Sequence, residues 1–210
     1  MKAAVASRDV TIDELATGGY TLLGVLTHAS LGKFVVEYFL RRTSWLTRAH
    51  HLMSLTTIVA IVLVALRQER SWLYCLESFG AALVVLFVIV LPIHELVHAI
   101  AYRLVGARDV RWDYSARMLA VWVVAHRFVA DARAFAFVAL APFVIINAAL
   151  IIAALIWPSI AVFLLFVLLW HLHGASGDWA LLNFMWLHRA DGFWTYDDAD
   201  AGRSWFYGRV

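Results

Sequence analysis

Residues 94 to 98 read His-Glu-Leu-Val-His, within one of the most apolar stretches of the chain. On a helix, His94 and His98 are one turn apart, so both imidazoles project from the same face. Two neutral imidazoles at this spacing can bind a zinc ion, and Glu95 can take a proton from a water molecule that the metal activates. The motif therefore predicts a site for zinc-dependent hydrolysis.

The composition is that of an integral membrane protein. The chain has 210 residues, of which 63% are hydrophobic and 15% are charged; a soluble domain has about 25% charged residues and under half apolar ones. The net charge is only +2 and the basic residues are scattered, so we expect no nucleic-acid partner. In hydrocarbon, His94, Glu95 and His98 are costly unless they face one another, a cavity or a metal. The expected partner surface is the lipid bilayer itself.

Four apolar runs are long enough, with their flanks, to cross a bilayer. Pro92 lies within the second run and is expected to kink its helix just before the motif. We therefore predict an all-α membrane protein with about four transmembrane helices. The runs are residues 52–66, 79–104, 135–157 and 160–187, the last broken near Gly174 and Gly177.

A small β-hairpin is predicted between the second and third runs. Residues 110–114 alternate in polarity, residues 118–124 are rich in strand formers, and a turn is expected at residues 115–117. This loop also has the most basic residues, which places it in the cytoplasm together with both termini. Its arginines are Arg108, Arg111, Arg117, Arg127 and Arg133.

The chain divides into three parts on this interpretation. Residues 1–50 form an N-terminal cytoplasmic or interfacial segment, in which residues 20–40 are expected to be an amphipathic helix lying on the membrane. Residues 51–190 form a transmembrane, metalloprotease-like domain. Residues 191–210 form a polar, aromatic-rich cytoplasmic tail.

A catalytic zinc usually has three protein ligands, and Asp178 is the leading candidate for the third. It is the only acidic residue between Asp131 and Asp191, and a carboxylate isolated in apolar sequence needs a partner. Asp178 could instead cap the helical segment that follows it. His171 and His173 compete for the ligand role; because they are two residues apart, at most one points at the motif, and one can support a ligand from behind.

Two further polar residues are candidates for contact with substrate or for a supporting role. His126 follows the predicted hairpin and could contact the substrate or stabilise a developing oxyanion. Asn147 lies inside the third apolar run, where it could donate to a buried carbonyl oxygen or satisfy a contact between helices.

Three motifs together resemble a known family. His94-Glu95-Leu-Val-His98, Ala141-Pro142-Phe143 and His173-Gly-Ala-Ser-Gly-Asp178 occur in this order. Over roughly residues 85–200 the sequence resembles the putative zincin peptidase family of prokaryotic membrane proteins, related in design to the site-2 proteases. The resemblance implies one zinc per chain held by His94, His98 and Asp178, with Glu95 as the catalytic base. Site-2 proteases generally have an Asp-Gly pair at the third ligand, whereas Trp179 follows Asp178 here.

The sequence thus predicts a zinc metalloprotease in a prokaryotic cell membrane. Its expected substrates are peptides or transmembrane segments, cut within or beside the bilayer. One alternative is a non-catalytic adaptor that retains the metal site. Another is a membrane di-iron oxidase, which would need more His clusters than this chain offers outside residues 94–98.

Overall fold

The computed structural model describes residues 12–115 and 120–209. In these residues the chain is mostly helical, with two small antiparallel sheets. The helices are α1 (Ile12–Thr17), α2 (Leu31–Val35), α3 (Trp45–Arg67), α4 (Trp72–Val85), α5 (Leu91–Leu104), α6 (Ala132–Ile156), α7 (Ala161–Gly174) and α8 (Ser176–Leu187). The strands are β1 (Tyr20–Thr27), β2 (Val110–Ser115), β3 (Ala120–Ala125), β4 (Phe128–Asp131), β5 (Phe193–Asp198) and β6 (Arg203–Arg209).

Three helical stretches are long and apolar enough to cross a membrane, namely α3, the continuous stretch Trp72–Leu104, and α6. Helices α7 and α8 meet at a bend of 47° and form a fourth candidate if they are counted as one span. Only 22–28% of the residues in the apolar windows of the first three are buried, so most of their apolar side chains face outward. The four apolar runs and the break near Gly174 agree with the sequence prediction.

Pro92 distorts the helix that bears the His-Glu motif. Proline has no N–H to donate to the carbonyl one turn earlier. The backbone widens to a π-helical segment over Leu86–Val90, and α5 begins immediately afterwards with the proline in its first turn. This π-bulge lies at the position where the sequence predicts a kink, and π-bulges often accompany functional sites.

The predicted hairpin is confirmed. Strands β2 and β3 pair antiparallel from Val110 opposite Ala125 to Ser115 opposite Ala120. Most of the predicted turn lies outside the described residues. Strand β3 packs against α5, so the hairpin lies beside the His-Glu motif.

The chain is mostly helical, as predicted, but a second sheet beside the hairpin was not predicted. Its strand order is β1-β6-β5-β4, and every pair is antiparallel. The expected helix over residues 20–40 is a strand at its start, where Tyr20–Thr27 pairs with β6. Residues of the predicted tail form β5 and β6, and β6 pairs with β1 from the N-terminal segment. The three-part division itself stays a prediction.

The inner face of this sheet packs on the helices through an aromatic core. Alternate residues of β5 are buried, as expected for a sheet with one covered face. Phe193 and Phe206 contact Phe184 of α8, and Phe193 also contacts Phe135 of α6. The sheet is thereby held against the helices that carry the polar cluster described next.

Candidate metal centre

Three side chains from two distant parts of the sequence converge on one point. The Nε2 atoms of His94 and His98 are 3.1 Å apart. Asp178 lies opposite them, with Oδ2 3.0 Å from Nε2 of His94 and Oδ1 3.2 Å from Nε2 of His98. Both histidines are buried. The spacing predicted from helix geometry is thus realised, and Asp178 joins the pair.

The bend between α7 and α8 places Asp178 opposite α5. Helix α8 begins at Ser176, so Asp178 lies in its first turn and does not occupy the cap position. A Cβ at Gly174 would come within 3.3 Å of Leu91 in α5, so the absence of a side chain allows the close approach. A Cβ at Gly177 would meet nothing within 4 Å. Of the two glycines, only Gly174 makes such a close approach.

Hydrogen bonds fix the tautomer of both imidazoles. Nδ1 of His98 lies 3.0 Å from the carbonyl oxygen of Val138, which can only accept, so this nitrogen carries the proton. A neutral ring then has an unprotonated Nε2. The lone pair of His98 Nε2 therefore points toward Asp178 and His94.

His94 is fixed by a chain of two further side chains. Nδ1 of His171 lies 2.7 Å from Oδ1 of Asn147, so His171 donates there and its Nε2 is an acceptor. That Nε2 lies 2.9 Å from Nδ1 of His94, which must donate to it. The lone pair of His94 Nε2 is left free, like that of His98. His171 and Asn147 are thus supporting residues, and His171 does not point at the shared centre.

The donor set fits a zinc ion. Two nitrogen lone pairs and a carboxylate at about 3 Å repel one another unless a proton or a metal ion lies between them. Ligands at the usual zinc–nitrogen distance in a tetrahedral site are about 3.3 Å apart, close to the separations found here. His94, His98 and Asp178 would hold the ion, and a fourth position would remain open.

Glu95 lies beside this centre. It is buried, and its carboxylate is within 4.8 Å of the ligand nitrogens of His94 and His98. The backbone of Val123 in β3 hydrogen-bonds to it. Glu95 and the hairpin thus line the same cavity.

His126 and His173 do not join the cluster. His173 is exposed, and its Nδ1 donates to the carbonyl of Leu169 in its own helix. His126 Nδ1 accepts the backbone N–H of Ala199, and its ring lies near two acidic residues, Asp198 and Asp200.

The His126 group has ligand-type atoms within 4.8 Å of one another, but its members already have partners. Asp200 pairs with Arg111 at 2.7 Å, and Arg127 approaches Asp198 at 4.0 Å. Because Nδ1 of His126 is an acceptor, its Nε2 carries the proton and cannot bind a metal in this tautomer. We interpret this group as an ion-pair network at the edge of the sheet.

A cavity of about 500 Å³ connects the cluster to the sheet. Its lining includes two polar residues that sequence reasoning missed, Tyr102 and Asp197. Tyr102 follows His98 by one further helical turn, a spacing that could have revealed it. Asp197 reaches the cavity only because β5 pairs between β6 and β4, and no local signal in the sequence indicates that position.

The comparison with known families agrees with this geometry. A profile of the family described as "putative zincin peptidase" matches residues 87–191, half of the chain. The chain belongs to this family. Membership in the zincin family indicates a zinc-dependent metallopeptidase, and the matched segment contains His94, Glu95, His98 and Asp178. No curated protein and no solved structure matches the chain.

Asn147→Leu should weaken zinc binding about 10-fold to 100-fold, because it frees the tautomer of His171 and hence of His94. Asn147→Asp keeps an acceptor oxygen and should retain most of the affinity. His173→Ala, on the exposed side of the same region, is the control and should bind zinc like the parent. The measurement is competition with a chelator of known affinity. Equal affinity in the Asn147→Leu protein would contradict the role of the chain of hydrogen bonds.

Because of Asp197, we expect the stability of the folded chain to depend on pH. Burial raises the pKa of this carboxyl from 3.8 to about 6, against smaller lowering effects of the Ser204 hydroxyl and His28. Between these two values the folded chain holds a proton that the unfolded chain has lost, so stability falls as the pH rises through this window. Above pH 6 the loss is on the order of 2–3 kcal/mol.

Asp197→Asn removes this charge and keeps a polar side chain at the position. The variant should unfold at a higher temperature than the parent at pH 7.5, and the difference should vanish below about pH 4. Thermal unfolding of the detergent-solubilised protein at several pH values measures it. A variant less stable than the parent at pH 7.5 would show that the ionised carboxylate stabilises the fold.

Proposed function

We propose that this chain is a membrane-embedded zinc metallopeptidase that hydrolyses peptide bonds within or beside the bilayer, with a plan like that of the site-2 proteases. The observation that carries the proposal is the convergence of His94, His98 and Asp178 within 3.0–3.2 Å. Family membership supports the metallopeptidase part. The length and apolar character of the helices support the membrane setting.

Each residue of the site has its own role in the proposed reaction. A bound zinc ion would activate water and polarise the carbonyl group of the substrate. His94, His98 and Asp178 would hold the ion, and the Asn147–His171 pair keeps His94 in the tautomer that this requires. Glu95 takes a proton from the attacking water and delivers it to the nitrogen of the leaving amine. The apolar helices around the site limit the access of bulk water, which strengthens these electrostatic interactions.

Strand β3 is well placed to hold an extended substrate. Its residues 121–124 line the cavity, and among the described residues it pairs with β2 along one edge only. A peptide could add to its other edge as a further strand, through main-chain hydrogen bonds. A helical substrate must unwind before cleavage, because its carbonyls are otherwise hydrogen-bonded within the helix.

The sheet supports an arrangement in which the polar segments all lie on the same side of the membrane. Strands β1, β4 and β5 come from the N-terminal part, the loop before α6 and the C-terminal part, and all belong to one sheet. Four spans would place these three segments on the same side of a membrane. The arginine-rich loop favours the cytoplasm for that side. We therefore propose that both termini are cytoplasmic.

Glu95→Gln tests catalysis separately from metal binding. The variant should keep about one zinc per chain but lose at least about 100-fold in turnover, since the base is removed while the ligands remain. Glu77→Gln is the matched control, because Glu77 is an exposed glutamate on the same continuous helical stretch. The assay uses purified protein in lipid nanodiscs with a mixture of synthetic peptides, and mass spectrometry counts the new termini.

Two outcomes of that assay would contradict the peptidase proposal. One is cleavage by the Glu95→Gln protein at the rate of the parent. The other is a zinc-loaded parent that cleaves no peptide, which would favour the non-catalytic, metal-binding adaptor.

A further inference from the structure

The cavity has a second polar wall. The sheet forms this wall, whereas the helices form the metal centre. Strands β5 and β6 contribute Asp197 and Ser204, which face each other in the antiparallel register. His28, directly after β1, also lines the cavity. Tyr102 lines the same cavity as the carboxylates of both walls, so the two walls belong to one compartment. A substrate at the metal centre can therefore extend to this wall.

Asp197 is a buried carboxylate without a cationic partner. It is only 9% exposed, and its hydrogen-bond partner is the hydroxyl of Ser204. Within residues 12–115 and 120–209 it forms no ion pair. His28 is near, but its Nδ1 faces Asp113 at a distance of 3.3 Å. A carboxylate in this setting costs stability unless something compensates its charge.

The neighbouring acidic residues have basic side chains close by, which compensate their negative charge. Asp198 and Asp200 lie on or after the same strand but outside the cavity lining, near His126, and have arginines close to them. Asp197 points to the covered face and has none. The contrast separates the buried acid in the cavity from the paired acids at the edge of the sheet.

The charges that line the cavity have one sign. The lining contains the carboxylates of Glu95, Asp178 and Asp197, and among the described residues it contains no Lys or Arg. A zinc ion would neutralise the wall near Asp178 but not the wall of the sheet. The remaining lining is largely aliphatic and aromatic, which suits the methylene stem of a long basic side chain.

We propose that Asp197 forms an anionic subsite that binds a positively charged nitrogen group of the peptide substrate. This inference rests on the proposed peptidase function and adds to it the class of substrate. The group is the ammonium or guanidinium of a Lys or Arg near the cleaved bond, or the free α-amine of a peptide. Basic residues are abundant at the cytoplasmic flank of transmembrane segments, so a segment cut at that flank would present one.

The test compares peptides that differ in one charge. Two doubly blocked peptides share one sequence and carry either Lys or norleucine, which has the same stem without the amine. A second pair carries norleucine and either a free or an acetylated amino terminus. Each pair is assayed at pH 7.5 with the parent, with Asp197→Asn and with Asp198→Asn as the matched control. Binding of the same peptides to the Glu95→Gln protein, with and without Asp197→Asn, is measured in parallel.

The parent should prefer the charged member of at least one pair about 10-fold to 100-fold in kcat/KM, and mainly through KM. Asp197→Asn should reduce that ratio to near one, while Asp198→Asn should keep it. Preference in the Lys pair identifies a basic side chain as the ligand, and preference in the other pair identifies the amino terminus. Either result supports the subsite.

Two results would overturn the subsite. One is a parent that shows no preference in either pair. The other is a ratio that Asp197→Asn leaves unchanged or that Asp198→Asn lowers equally. Failure of the peptidase function would be distinct, because no peptide would be cleaved. The binding measurements would then still decide whether Asp197 selects the charged peptide.

Discussion

The fold depends on one electrostatic constraint, the placement of two imidazole lone pairs and a carboxylate within about 3 Å of one another in an apolar interior. Such a cluster repels itself unless a cation occupies its centre, and away from water the repulsion is hardly screened. The helices around it can be understood from this requirement. Helix α5 supplies both histidines, the bend between α7 and α8 brings Asp178 opposite them, and α6 supplies the carbonyl of Val138 that orients His98.

The parts of this arrangement that depend on short stretches of sequence could be predicted. The spacing of His94 and His98 determines their common helical face, and the apolar runs determine where the long helices lie. The alternating polarity of residues 110–114 and the strand formers after them identify the hairpin. Asp178 could be named as a candidate ligand because an isolated acid in apolar sequence needs a partner. The family resemblance implies the same residue.

The parts that depend on contacts between distant segments could not be predicted. The choice between His171 and His173 depends on the exact rotation of α7, which places His171 between His94 and Asn147 and leaves His173 outside. Tyr20–Thr27 forms a strand because β6, more than 170 residues later, supplies the partner edge. Asp197 resembles Asp198 and Asp200 in sequence, and only the pairing of β5 turns it toward the cavity.

The two ends of the chain thus form one wall of the cavity, and the histidines of the metal centre come from the middle of the chain. The sheet closes one side of the cavity with a buried carboxylate, a pattern common where function requires a charged group. The most direct test of the central claim is zinc K-edge X-ray absorption of the purified, folded protein. We expect one zinc per chain with nitrogen and oxygen ligands only, at about 2.0–2.1 Å, and with the scattering of two imidazoles. A folded chain without zinc, or a shell that contains sulfur, would contradict it.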